Sequence, residues 1–342
     1  MSALYRLCAG LLRDLQQGAK VRSSAERSNT PLLNKISSLR ADSRGLRQHS
    51  PEGVIAIGTL AVMVRPPFSK RKSDQSIKDF FVLRKGVPEG LLSSLVPFVN
   101  GLMYDSDVFG ASVPKRELHA AFARMNDIYL PESAFDAGRM FQQHRDVLLD
   151  AVDFVLGTAV TNDTYSGPHL VAQLESELIE ARSAYTIGKD GDGRYELQER
   201  QPAELTSLVE SATAATDRAA EHLRRAWSKA FARKPDPNGA CVEAVAAIEA
   251  SAKPTISPKN ASATLGTMIA DLKNKPSKWT TDSEADEDVE KIIAMMEMVW
   301  KGHYRHGDET KPIQVSATGA EMIVQQASLL VHWFRAGRIR LA

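Results

Sequence analysis

Between Pro202 and Arg233 the apolar residues Leu205, Leu208, Val209, Ala212, Ala219, Leu223, Ala226, Trp227 and Ala230 return at helical spacing. A stripe that long is buried only against other helices. Pro235-Asp236-Pro237 ends it, because proline has no N–H to continue the ladder. Four further segments repeat the pattern, about Gly239 to Ala252, Thr264 to Lys273, Glu284 to Trp300 and Gly319 to Ala336. The last two begin with capping-box spacings, Ser283-x-x-Asp286 and Thr318-x-x-Glu321. This half of the chain predicts a helical bundle. Only 6% of residues are aromatic, which suits helices packed on small side chains.

Upstream, Leu4, Leu7, Leu11, Leu12 and Leu15 make one amphipathic helix, followed by a Ser/Arg-rich stretch with a second short helix from Pro31 to Leu39. The apolar run Val54 to Val64 is too short to cross a bilayer and reads as a buried core element, with Ser50-Pro51-Glu52 ahead of it favouring a helix over a strand. Pro67 to Asp79 reads as an exposed loop. A turn over Arg84 to Gly90 then leads into a helix from Leu91 to about Leu102. Val113 to Leu156 suits two helices broken at Leu130-Pro131-Glu132-Ser133, and another helix is expected from about His169 to Ser183. Turn residues Gly188 to Gly193 between β-prone flanks give a hairpin over 185–197, the one convincing hairpin signal. The fold class is therefore mostly α. Its expected divisions are a basic, mostly helical N-terminal region (1–184), a hairpin with a long connecting helix (185–233) and a C-terminal bundle (234–342), since 342 residues exceed one ordinary core.

A net charge of +1 conceals segregation: Met1 to Lys85 holds 16 Lys and Arg against 6 Asp and Glu, and the remainder 27 against 36. A basic lobe attracts polyanions through counterion release, or pairs with the acidic half within the fold or across a dimer. Lys70, Arg71 and Lys72 with Phe68, and Arg84 and Lys85 beside Phe80 and Phe81, combine charge with rings that can stack on bases. The competing reading is a core Phe pair beside a solvated loop. The two cysteines, Cys8 and Cys241, are far apart and fit a reducing cytoplasm better than a disulfide framework. Arg6 and Arg13 interrupt the N-terminal apolar residues, which argues against a signal peptide, and no membrane span is expected.

Three ordered blocks carry a family resemblance. The first runs from Ala226-Trp227-Ser228 through Pro235-Asp236-Pro237-Asn238 into Cys241 to Ala250. The second is Ala263-Thr264-Leu265-Gly266-Thr267-Met268-Ile269, and the third is Tyr304-Arg305-His306-Gly307 followed by the Ala320 to Phe334 helix. Over about residues 226–336 the chain resembles the C-terminal domain of prokaryotic abortive-infection proteins, a relative of the HEPN fold. Phe81 to Pro88 also resembles a stretch near the start of some such proteins. The resemblance implies antiphage defence, a homodimer, a phage-derived trigger and RNA or DNA as target. It also implies a metal-independent RNase in which an Arg, with four to six residues between it and a following His, stabilises phosphate charge while the His moves a proton. His306 is the obvious His, but Val299, Trp300 and Lys301 stand where the Arg belongs. The candidate catalytic set is accordingly His306 with Lys301 or Arg305. The alternative is a non-catalytic nucleic-acid-binding or dimerisation module of a defence system.

Other motifs carry less. Arg44/His49 and Arg139/His144 match the Arg/His spacing at the frequency chance predicts. His303 and His306 with Asp308 and Glu309 lack a further ligand cluster, so no metal or cofactor is expected. Asp190 to Arg194 is a hairpin turn rather than a calcium loop, because Arg194 and Gln201 occupy ligand positions. The acidic run Glu284 to Asp288 is a solvated helix start. P-loop, GxGxxG, HExxH and GxSxG patterns are missing, so nucleotide hydrolysis, dinucleotide chemistry, zinc proteolysis and serine hydrolysis have no support.

Overall fold

Helix α1 (Glu89–Met103) is the first element of a group whose apolar side chains meet in one core. A computed structural model describes residues 66–67, 70, 79–282, 286–302 and 315–342. The expected helices at Leu4 to Leu15, Pro31 to Leu39 and Val54 to Val64, and the capping box at Ser283, lie outside the described residues. After α1 come β1 (Tyr104–Ser106) and β2 (Ser112–Pro114), an antiparallel pair. Then follow α2 (Arg116–Asn126), α3 (Ala134–Gln143), α4 (Arg145–Val155), a π-helical turn (Leu156–Val160) and α5 (Gly167–Glu180). Leu95, Val99, Phe122, Phe141, Leu148, Val152 and Leu174 are buried where these helices face one another. The expected break at 130–133 is present. A second break at His144 divides the later segment, so three helices stand where spacing suggested two.

The hairpin forms at the expected place, with β3 (Tyr185–Lys189) antiparallel to β4 (Tyr195–Glu199) and Ile187 opposite Leu197. Its turn is set by Asp190, whose carboxylate accepts from the amides of Asp192 at 2.9 Å and Arg194 at 2.8 Å. Gly193 supplies the positive φ of 84°. The first hairpin was not anticipated, yet its turn is built identically. Asp107 accepts from Phe109 and Ala111 at 2.9 and 2.8 Å, and Gly110 sits at φ 83°.

The C-terminal group comprises α6 (Ala203–Ala212), α7 (Arg218–Phe231), α8 (Pro237–Ile256), α9 (Leu265–Asn274), α10 (Asp286–Gly302) and α11 (Ala317–Arg335). β5 (Trp279–Thr281) pairs antiparallel with β6 (Ile339–Leu341), a second unanticipated ribbon. Helices α7, α8 and α11 bury an alanine-rich seam including Ala219, Ala226, Ala230, Ala240, Ala244, Ala247, Ala320 and Ala327. Small side chains let these axes approach closely. The single helix expected over 202–233 is two. Asp217 caps α7 by accepting from the Ala220 amide at 2.9 Å, and Arg335 of α11 donates both to Asp217 and to the orphan carbonyl of Ala212. The last helix starts from Ser316, which accepts from Gly319 at 3.1 Å, and not from Thr318 as the capping box suggested. Among the described residues, no helix is long and apolar enough to cross a membrane.

The two helical groups meet at the second hairpin and the end of α7. Arg233 donates its backbone amide to Leu197 at 3.0 Å, and its guanidinium pairs with Asp150 of α4 and with the Asp146 carbonyl. Both side chains are largely buried, at 11% and 18% exposure. Truncating one partner leaves the other desolvated, although Lys234 at 3.0 Å still serves Asp150. Arg233→Ala is expected to cost about 2–3 kcal/mol. The measurement is the urea midpoint, which should fall with little change in denaturant slope.

Candidate functional site

Of the residues singled out by sequence, Lys301 ends α10 with its ammonium 3.3 Å from Glu297, which also takes Lys273 of α9. These two lysines, Lys273 first, hold the Glu297 carboxyl below its ordinary value. The positions beside Lys301 pack: Val299 is fully buried, and the Trp300 ring lies where a Cβ on Gly266 would come within 2.7 Å of it. Gly266 of the Leu-Gly pair is thus a close-approach glycine between α9 and α10. Arg305 and His306 lie outside the described residues.

Lys70 is exposed, its amide 2.9 Å from the Pro67 carbonyl, while Arg71 and Lys72 lie outside the described residues. Phe80 and Phe81 are buried edge to face, with centroids 5.3 Å apart, and the Arg182 guanidinium covers Phe80 at 4.1 Å. Those rings are committed to the fold, which is the core-pair reading. Arg84 is exposed and bridges to Ser183 through its backbone. Lys85 reaches Glu199 at 3.8 Å, beside Glu321 of α11, whose carboxyl is raised chiefly by burial and then by Glu199. The structure therefore brings Lys85 to the start of the last helix.

Sequence reasoning missed two arrangements. The first is a buried polar junction around the second hairpin. Asp153 accepts from the Leu197 amide at 2.7 Å, Thr161 from Tyr195 at 2.9 Å, and Glu175 from the Ile187 amide, the Thr186 hydroxyl and the Arg200 guanidinium, each at 2.9 Å. Buried Gln198 donates to Glu196 at 2.8 Å. Burial pushes Asp153 up, against the Leu197 amide and Arg233, and pushes Glu196 up, against Ser228 and Gln198. Each partner of this junction is a hairpin backbone group or a neighbouring side chain, so it holds the hairpin.

The second arrangement lies on a partly exposed side of α7, where Arg218 is exposed and His222, Arg225 and Lys229 are half-buried. Arg218, His222, Arg225 and Lys229 follow i, i+4, i+7 and i+11 on α7 and share one face. His222 Nδ1 is 2.7 Å from the Glu243 carboxylate of α8. A carboxylate only accepts, so Nδ1 is the donor of this bond. Lys229 has only a loose contact with Asp236 at 3.6 Å, and Arg218 and Arg225 form no ion pair among the described residues. Arg225 also carries the tip of the second hairpin, since a Cβ on Gly191 would lie 2.2 Å from its Cγ. The sequence signal was legible as basic residues at helical spacing opposite the apolar stripe. Among the described residues, no cluster of His, Cys, Asp and Glu could hold a metal ion.

The raised carboxyls set a pH dependence. A carboxyl held above its ordinary value binds its proton more tightly in the folded chain, so stability falls as pH rises through the interval from that ordinary value to the folded one. For Asp153 the interval opens at 3.8. Asp153→Asn keeps an acceptor for the Leu197 amide and removes the charge. Its stability relative to wild type is expected to improve as pH rises from about 4 towards neutrality. Urea midpoints across that range test this, and a pH-independent difference would refute it.

No family model, curated protein or solved structure matches this chain.

Proposed function

We propose that this chain is a nucleic-acid-binding protein of a prokaryotic defence system and that its C-terminal bundle captures the phosphate backbone along α7. The observation that carries the binding reading is the row Arg218, His222, Arg225 and Lys229 on one partly exposed helix face. Arg218, Arg225 and Lys229 line three cations along one side of the helix, and basic faces of this kind bind phosphate backbones through counterion release. The defence setting rests on the resemblance to abortive-infection proteins over residues 226–336.

Binding is favoured over cleavage because Lys301, the described member of the catalytic set, is engaged by Glu297. As an ammonium it also lacks the planar fork that grips two phosphate oxygens. Cleavage by His306 with Arg305 or Lys301 is the alternative reading. Wild type and His306→Ala, compared for growth and total RNA integrity with and without phage, separate the two. Equal protection with intact RNA in both favours binding, whereas RNA loss that depends on His306 favours the nuclease.

The binding site has its own test. Fluorescence anisotropy with single-stranded RNA is expected to give a logarithmic salt slope that is shallower by about 2 in Arg218→Gln/Arg225→Gln/Lys229→Gln than in wild type, from three phosphate contacts at about 0.7 each. Affinity at low salt is expected to drop at least about tenfold. Unchanged slope and affinity would remove the α7 assignment.

A further inference from the structure

The two hairpin tips make an internal comparison. In each, an Asp carboxylate accepts two amides and its backbone closes the loop: Asp107 with Ala111 at 2.8 Å, Asp190 with Arg194 at 2.8 Å. In each, the fourth residue is a glycine at positive φ. The tip residues differ completely. The second hairpin carries Gly191 and Asp192 and leans on Arg225, whereas the first holds Val108 and Phe109 in solvent, each 92% exposed. A fixed turn that presents two apolar side chains loses little entropy when they are buried, so it is preorganised for contact.

Further exposed apolar side chains stand on the elements tied to this hairpin. Met125 at the end of α2, Tyr129 on the α2–α3 connection and Phe135 at the start of α3 are 74%, 80% and 73% exposed. That connection is anchored, since the Tyr104 hydroxyl donates to the Pro131 carbonyl at 2.6 Å and His119 Nε2 lies 3.0 Å from the same oxygen. The Ser112 hydroxyl, just after the turn, accepts from the Ala134 amide at 3.0 Å, tying the turn end of the hairpin to the start of α3. Exposed aromatic and aliphatic side chains here amount to roughly 500 Å², at the upper end of the largest apolar patch of a typical monomer, where such patches are often functional.

The geometry points to a second copy of this chain as the occupant, with the Val108-Phe109 tip of each protomer seated on the Met125, Tyr129 and Phe135 surface of the other about a two-fold axis. Tip and receiver on one chain are what an isologous interface requires. The surrounding charge is mixed: residues 104–139 hold six carboxylates and four Lys and Arg. Arg116, Arg124 and Arg139 form no ion pair among the described residues, and neither do Asp127 and Glu132. Self-association can pair these opposite signs, whereas a nucleic acid would meet a net negative surface. This inference is independent of the α7 reading.

Sedimentation equilibrium on the full chain tests it. Wild type is expected to form dimers, and Val108→Ser/Phe109→Ser to self-associate about thirtyfold more weakly with an unchanged melting curve, because Asp107 and Gly110 build the turn. Phe135→Ser is expected to weaken association similarly. Mixing a tip variant with the receiver variant leaves one contact intact, so the mixture should associate more tightly than either alone. A monomeric wild type, tip variants that dimerise normally, or a mixture no tighter than its parts would each overturn the proposal. So would a tip variant whose only loss is RNA binding, which would assign these rings to base stacking.

Discussion

The structure depends on how a two-stranded ribbon disposes of its unpaired edges. An isolated hairpin leaves outward amides on both strands and is marginal in water. Here Asp153 of α4 takes the Leu197 amide and Thr161, just past the π-helical turn, takes that of Tyr195, while Glu175 of α5 takes Ile187 on the opposite edge. Helices on either side thus complete the ladder with side chains. The chain then leaves β4 for α6 and α7 and returns at Arg233, whose backbone amide reaches the Leu197 carbonyl. Leu197 is tied through both its backbone groups, its amide by Asp153 and its carbonyl by Arg233, so the two helical groups share one strand residue. The raised Asp153 and Glu196 carboxyls are the electrostatic cost of placing acids where amides need acceptors.

Which elements were legible in the sequence follows from whether their causes are local. The second hairpin, α1, α9 and the bundle helices announce themselves through turn residues, caps and apolar spacing within their own segments. The interruption between α6 and α7 does not, because both helices lie against α11 and their apolar faces read as one stripe. The break is held by Arg335, more than a hundred residues away, which serves Ala212 and Asp217 together. The β5–β6 ribbon joins Thr281 to Ile339 with no tight turn between them, so no local signal could reveal it. The first hairpin is different. Its Asp107-x-x-Gly110 turn repeats Asp190-x-x-Gly193, and it was overlooked because its tip residues are apolar, where turn chemistry favours polar ones.

The candidate site shows the same division. Position 300 reads as a missing arginine when compared with a nuclease pattern, but its tryptophan fills the space beside Gly266. Phe80 and Phe81 beside basic residues suggested stacking on bases, yet their rings are spent on each other and on Arg182. Lys85 was singled out for charge alone. Only the fold shows that it meets Glu199 beside Glu321 at the last helix. The α7 face needed no long-range information, since Arg218, His222, Arg225 and Lys229 are helical neighbours. What the sequence hid there was Glu243, which accepts from His222 Nδ1 and stands on another helix.

The two proposed surfaces reinforce each other energetically without sharing a residue. A single row of cations binds an extended phosphate backbone weakly at physiological ionic strength, because releasing counterions gains less as the bulk salt concentration rises. Two copies joined through their first hairpins would present two such rows on one particle. A strand held by one row then meets the second at an effective concentration set by the dimer, not by the bulk protein. Capture would become steeply dependent on protein concentration, since dimerisation and binding multiply. A modest rise in the amount of protein would then move the system from free to engaged without any change in either site.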